Sequence, residues 1–428
     1  MRTSGSAANL GTVDRRGASD EAALTGARLR AAREAAGLSL AAMSARGPYS
    51  KAALGHFETG TRAASAEVIG WYDRVCGAVI DCVSAAATVG RNDVDRRSFL
   101  RGAAYSAALS ATGLVALPDI ARLAAARESA CVGVADVRAV QAVTDAFHRL
   151  DEVRGGGVGR TAVAEFLATD VATLLRSRFA DGTVRAAAFS AAAELAYLAG
   201  FKAHDAGADG MAQRYYLAAL RLAEESGVPG HDAWVLRILA LQSTDIGDRS
   251  YSVALADNAM ARARDTLGRD ALSLFAVALA RCHAESGDAA SARAVLDRTE
   301  PDITPEVHDD MPRWIASWTP NKAITVHQAA KSFEAMGELA AAEQHYRLTC
   351  DIWNPVTHSR VHALAAAETG LIRWRLGKHE DAASILRPAL PVLTAMNSDR
   401  TARQLAEIRN TAPELLAGSP TSGDTQPQ

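Results

Sequence analysis

Histidine and cysteine are the side chains that most often hold metals or act as nucleophiles, and this sequence has eleven of the first and five of the second. They do not gather. Cys76, Cys82, Cys131, Cys282 and Cys350 are dispersed, with no CxxC spacing. His358 and His362 stand four apart, which would put both imidazoles on one face of a helix. No Cys or carboxylate joins them at zinc-like spacing. There is no Gly-rich phosphate loop, no HExxH, no GxSxG and no carboxylate pair at a suggestive spacing. The chain therefore offers no catalytic centre and asks for no metal or other cofactor. The chemistry left to it is recognition, by side chains that short helices and long helical arrays must hold in place.

The first such place is LTGARLRAAREAAGLSLAAMSARGPYSKAALGHFETGTRAASAEVIGWYDRVCG, from Leu24 to Gly77. Apolar residues recur there at helical spacing in short blocks: Leu29, then Leu40 and Met43, then Leu54 and Phe57, then Val68, Trp71, Tyr72 and Val75. Each block opens after a break. Gly37 precedes the N-cap candidate Ser39, Gly47-Pro48 precedes Ser50, and Gly60 precedes Ser65. Four short helices, two of them joined by a tight turn, make a helix-turn-helix arrangement. Ser50 to Phe57 reads as its recognition helix, with free amides and dipole facing phosphate and the exposed side chains entering the major groove.

The pieces LRAAREAAGLSL, ARGPYSKAAL and HFETGTRAAS resemble the DNA-binding domain of the phage-repressor and xenobiotic-response-element family. In that family an Arg on the first helix pairs with a Glu ending the recognition helix, and the matching positions are Arg33 and Glu58. The resemblance also implies DNA contacts by Ser50, Lys51, Ala52 and His56, and by Arg62 in the following loop. The sequence departs from the family where the usual phosphate-contacting Gln is Leu40 and where two polar base readers are Ala52 and Ala53. Alanine can touch a thymine methyl but cannot hydrogen-bond a base edge. Specificity is then either modest or carried by Lys51 and His56 together with DNA shape. Read by itself, His56 would be a solvated helix residue.

The chain has 428 residues, room for two or three domains and a sizeable core. Its net charge of −3, with ten Arg plus Lys against eight Asp plus Glu over residues 1–90, argues against a polyelectrolyte grip on nucleic acid. Dimerisation would strengthen so modest a head. Dispersed cysteines, odd in number, fit reduced thiols in a cytoplasmic protein. The Ala-rich, aromatic-poor composition favours helix throughout, so the expected fold is all-α. Residues 1–20, polar and rich in Gly and Ser, are expected to be disordered, with no signal peptide. The helix-turn-helix domain is placed at 21–90, a linker with an apolar helix at 91–134, a repeat domain at 135–417 and a disordered tail at 418–428. Within the linker, Asp95-Arg96-Arg97-Ser98-Phe99-Leu100 looks like a twin-arginine export motif. It lies behind a folded module, and the apolar run from Ala103 to Leu117 is too short to span a bilayer. The expectation is a linker and no membrane; similar pieces occur in actinobacterial regulators that this chain resembles.

Over the repeat domain a period emerges on Gly207, Gly247, Gly287, Gly337 and Gly377, with gaps of 40, 40, 50 and 40 residues. Five residues after each stands Ala212, Ser252, Ala292, Ala342 or Ala382, and nine after stands Tyr216, Ala256, Leu296, Tyr346 or Leu386. Twelve after come Ala219, Ala259, Thr299, Thr349 and Ala389, and seven before come Gly200, Ala240, Ala280, Ala330 and Gly370. Gly157, with Ala162, Phe166 and Thr169, suggests a sixth, degenerate unit. Such a pattern describes helical hairpins that stack, each first helix ended by a left-handed Gly. The spacings resemble tetratricopeptide repeats, although the usual Trp and closing Pro are missing and the units run longer. The resemblance implies a concave groove carrying Tyr197, His204, Arg237, Arg281, His327, Lys331, Glu334 and Trp374, suited to a peptide, an acidic segment or a small anion. Any one of these is also readable as an ordinary inter-helix contact. The long gap holds DDMPRWIASWTPNKAITVHQ, with Trp314 and Trp318 four apart, either a lid on the groove or a packed insertion.

Joined, the two parts resemble actinobacterial regulators that link a phage-repressor-type head to a tetratricopeptide-like domain. That resemblance implies a homodimeric transcriptional regulator that binds a two-fold operator in double-stranded DNA. A peptide, protein or small-molecule signal on the repeats would set the spacing of its heads. A scaffold working by protein–protein contact, with a degenerate head, is the alternative that the recognition-helix alanines keep open.

Overall fold

The structure, a computed structural model, describes residues 10–76, 82–93, 131–249, 251–299, 311–318 and 321–415. The DRRSFL piece, the apolar run after it and the tail over 418–428 lie outside the described residues. The chain divides into two compact units, Met1–Ala85 and Ala86–Gln428. Among the described residues everything regular is helical, apart from one isolated parallel bridge between Val132 and Phe179.

The first unit contains α1 (Leu10–Ala35), α2 (Leu40–Ser44), α3 (Lys51–Glu58) and α4 (Ala66–Cys76), after which α5 (Cys82–Asp93) carries the chain onward. Helix α1 starts at Leu10, inside the stretch expected to be disordered, in a run that is free of proline and supplies Leu10, Arg15, Arg16 and Ala18. Three serine caps set the other starts. The Ser39 hydroxyl accepts from Ala42 N at 3.1 Å, Ser50 from Ala53 N at 3.2 Å and Ser65 from Val68 N at 3.4 Å. Each satisfies a first-turn amide that no helical carbonyl can reach. Leu29, Met43, Leu54, Phe57, Val68, Trp71 and Tyr72 close the core, with Leu40 and Val75 packed at its edge. Burying each large side chain contributes roughly 1.5–3 kcal/mol. Gly26 lets α1 lie directly on the end of α3, since a Cβ there would stand 2.5 Å from the Phe57 carbonyl oxygen.

The second unit opens with α6 (Val134–Arg154), α7 (Arg160–Phe166), a π turn (Leu167–Val171) and α8 (Ala172–Leu175). Three hairpins follow: α9 (Gly182–Asp205) with α10 (Asp209–Ser226), α11 (His231–Asp245) with α12 (Ser252–Ala263), and α13 (Arg269–Glu285) with α14 (Ala289–Thr299). After the short α15 (Arg313–Ala316) come two more, α16 (Asn321–Ala335) with α17 (Leu339–Ile352) and α18 (Ser359–Arg375) with α19 (His379–Ala395), then α20 (Asp399–Thr411). The five repeat glycines all turn these hairpins, at φ of +75, +80, +87, +78 and +76°. At four of them the amide after the Gly returns to a carbonyl five residues back, as Asp288 does to His283 at 2.9 Å. That bond is the closure of a left-handed helix cap. The small residues sit where helices cross: a Cβ on Gly200 would lie 2.6 Å from the Tyr216 ring, and one on Gly370 2.4 Å from Leu386. The sixth unit departs from its expected register. Its turn is made by Gly155 and Gly159, at φ +88 and +73°, and the π turn brings Thr169 to the surface.

The hairpins stack in chain order, and the insertion does not interrupt them, because α13 packs on α16. The array also closes on itself: α6 packs against both α9 and α18. Gly157 N donates to Asn397 O at 3.0 Å, and Asn397 N to Arg154 O at 3.1 Å. The closure is locked by Arg360, fully buried, which reaches Asp151 at 3.0 Å, Asp205 at 3.1 Å and Glu152 at 3.5 Å. Lys202 adds a second cation on Asp151, at 3.2 Å.

Candidate nucleic-acid interface and inner cavity

Helix α3 shows one face to the core and the other to solvent. Leu54 and Phe57 point in, while Ser50, Lys51, Ala52 and His56 are exposed, as is Arg62 beyond the helix end. Among the described residues neither the Lys51 ammonium nor the His56 imidazole has a side-chain partner; of His56 only the carbonyl is engaged, by the Thr59 hydroxyl at 3.3 Å. Arg62 is held by its backbone, whose N–H donates to His56 O at 3.1 Å, and by its guanidinium, 5.1 Å from the Phe57 ring centre. The Ser50 hydroxyl is occupied as the cap of α3. Ala53, half buried, packs on the core, so of the two alanines only Ala52 presents its methyl outward.

Below that face sits the pair that fixes the angle of α3. Arg33 Nε donates to Glu58 Oε1 at 2.7 Å and Nη2 to Oε2 at 2.8 Å, a two-toothed pair. The Tyr72 hydroxyl donates to the same carboxylate at 3.0 Å, and Arg33 Nη1 to Leu38 O at 2.9 Å. Burial and the Glu58 bond push the Tyr72 phenol above its ordinary range. One carboxylate thereby joins α1, α3 and α4.

The eight residues proposed for the repeat groove separate into two groups. Tyr197, Arg237 and His327 line a cavity of about 140 Å³ inside the closed array, although His327 also reaches Glu368 at 2.6 Å. The other five join helices. His204 reaches Asp209 at 2.5 Å and Asp245 at 3.5 Å, and Arg281 pairs with Asp245 and Gln328. Lys331 meets Glu368 at 2.9 Å, Glu334 accepts from Tyr346 and Arg375, and Trp374 stacks on His379 at 4.2 Å. Against the cost of burial, Arg281 and His204 hold the Asp245 carboxyl far below the usual range. Sequence periodicity does not mark the rest of the lining: Glu152, Phe201, Trp234, Trp353 and Arg400 come from five helices or loops brought together by closure. The insertion adds Trp318 to the wall. Trp314 and Ile315 are buried, and Trp318 sits 5.0 Å from Tyr197, 5.1 Å from Phe201 and 4.3 Å from His148. Arg313 anchors it, at 2.6 Å from Asp145 and 3.4 Å from Glu194. The described residues of the insertion, 311–318, are packed, and Trp318 forms one side of the cavity.

With that geometry in view, residues 25–84 match the family model described as a helix-turn-helix domain. This stretch is a helix-turn-helix DNA-binding domain. The match spans the C-terminal part of α1, all of α2, α3 and α4, and the start of α5, along with the exposed face that carries Lys51 and His56. No curated protein matches the chain. Among the described residues no group of three or more His, Cys, Asp or Glu side chains could hold a metal ion, and no helix is long and apolar enough to cross a membrane.

Proposed function

We propose that the protein is a sequence-specific transcriptional regulator of the phage-repressor type whose helical-hairpin domain senses a signal and pairs two copies on DNA. The observation that carries this reading is the helix-turn-helix domain at residues 25–84, with Lys51, His56 and Arg62 exposed around its recognition helix. In this reading Ser50, Lys51 and the free amides of α3 meet phosphate, while Ala52 and His56 face the base edges. A head with so few readers needs a partner head, so the protein acts as a homodimer on a two-fold site. The hairpin domain, tetratricopeptide-like in its spacing, holds the effector site in its inner cavity. The regulator would work in the cytoplasm.

Chromatin capture of the tagged full chain, with and without Lys51→Ala/His56→Ala, tests the head. A short two-fold motif at a few promoters, lost in the double variant, is the expected result. Enrichment no better than background would overturn it in favour of a scaffold that acts through protein contacts.

A further inference from the structure

The cavity contains a cation without a counter-ion. Arg237, 3 % exposed, donates through Nε to Leu274 O at 2.8 Å and lies over the Trp234 ring at 4.6 Å. No carboxylate of the described residues pairs with it, and burial pulls its pKa down to about 10. The other buried arginines of this domain, Arg281 and Arg360, each have acidic partners. An unpaired buried guanidinium costs stability, so it stands out in a domain that otherwise pairs its charges.

Besides His148 Nε2, which lies 3.5 Å from Glu152 Oε1, three polar atoms of the cavity wall are buried without a hydrogen-bond partner: Arg237 Nη2, Trp234 Nε1 and Glu152 Oε2. Two are donors, three residues apart on α11. The third is a carboxylate acceptor, whose sibling oxygen lies 3.5 Å from Arg360. Around them the wall is aromatic: Tyr197, Phe201, Trp318 and Trp353.

We propose that this cavity binds a small carboxylic acid with a flat, apolar body about one ring in size. Its carboxylate takes the donors of Arg237 and Trp234, its ring lies among the aromatic side chains, and a hydroxyl or amino hydrogen on the ring meets Glu152. The size follows from the volume, since about 140 Å³ matches cavities of roughly 150 Å³ that take up a benzene ring. The charge follows from Arg237, and the donor from the open Glu152 oxygen. The proposal rests on the reading of this domain as a signal sensor and adds the chemistry of the signal.

The test is calorimetric titration of the full chain with 4-hydroxybenzoate, benzoate and neutral benzamide, followed in parallel by tryptophan emission. Saturable binding of 4-hydroxybenzoate is expected, weaker for benzoate and at least about tenfold weaker for benzamide. Arg237→Met should lose the acid by a similar factor while its Tm holds or rises, because removing an unpaired buried charge relieves the fold. Equal binding of amide and acid, or no saturable binding by either acid, would overturn the proposal. The amide comparison uses the unaltered chain and so decides the matter even if R237M fails to fold. Loss of acid binding with operator binding intact would sink this site alone. Acid binding that leaves operator occupancy unchanged would keep the site and sink the sensor reading.

Discussion

Glu58 shows how much one carboxylate can organise. Its oxygens take both arms of Arg33 and the Tyr72 hydroxyl, and its side chain is nearly sealed from water. Removing Arg33 leaves the Glu58 carboxylate buried with only the more distant Arg30, at 3.7 Å, to balance it, so Arg33→Met should cost the first unit about 3–5 kcal/mol. Chemical denaturation followed at Trp71 would read that cost, and Arg33→Met with Glu58→Leu should recover most of it. A double variant no better than the single one would mean that the pair is not the organising contact. Glu194 gives a second prediction at this scale. Burial pushes its carboxyl up to about 7, with Asp145 adding to the rise and Arg313 opposing it. Its folded value lies above the ordinary one, so the folded chain carries the cost of a buried charge above about pH 7 and sheds it as pH falls toward the ordinary glutamate range. Glu194→Gln should therefore stabilise the chain at pH 8 by on the order of 1–3 kcal/mol, the gain fading below pH 7. A gain that is flat across that window would mean that Glu194 is already neutral.

At the scale of elements, the repeat was legible because its cause is local. A left-handed residue is nearly always Gly, so Gly207, Gly247, Gly287, Gly337 and Gly377 announce their turns in the sequence itself. Helix crossings demand small residues for the same kind of reason, which exposes Gly200 and Gly370. Gly200→Ala should cost about 1–3 kcal/mol by pressing on the Tyr216 ring. The melting curve of that variant should fall by several degrees, and an unchanged Tm would show that Tyr216 moves aside freely. The head was legible likewise, from its serine caps and apolar blocks. The cavity was only partly so. Tyr197, Arg237 and His327 fall on inward-facing repeat positions, whereas Glu152, Trp318 and Arg400 reach the cavity through contacts that no period encodes. His204, Arg281, Lys331 and Glu334 share inward positions with the cavity residues but meet nearby opposite charges, and Trp374 meets His379. Choosing between solvent, ligand and neighbour needs three dimensions.

For the second unit as a whole, the deciding contact is Arg360 with Asp151, 209 residues apart in the chain. Nothing near either residue in sequence announces it. Arg360→Met strands Asp151 and Asp205 in a dry setting with Lys202 alone to balance them, and should cost about 3–5 kcal/mol. Hydrogen exchange should then quicken first in α6, α18 and the end of α9, the three elements that the arginine ties. Uniform quickening, with no bias toward those helices, would argue that closure is spread over the whole array.

An open row of hairpins can gain or lose a member at its end and still fold, because each unit needs only its neighbours. A row whose last hairpin must meet its first helix has no such liberty. Deleting one hairpin would leave Arg360 a full unit away from Asp151, and duplicating one would carry it past. The number of hairpins is in that sense fixed by the lock. The same lock makes the unit melt as a whole rather than fray from one end, so natural variation in such a chain should appear as loop length, as in the long insertion before α16, and not as repeat number.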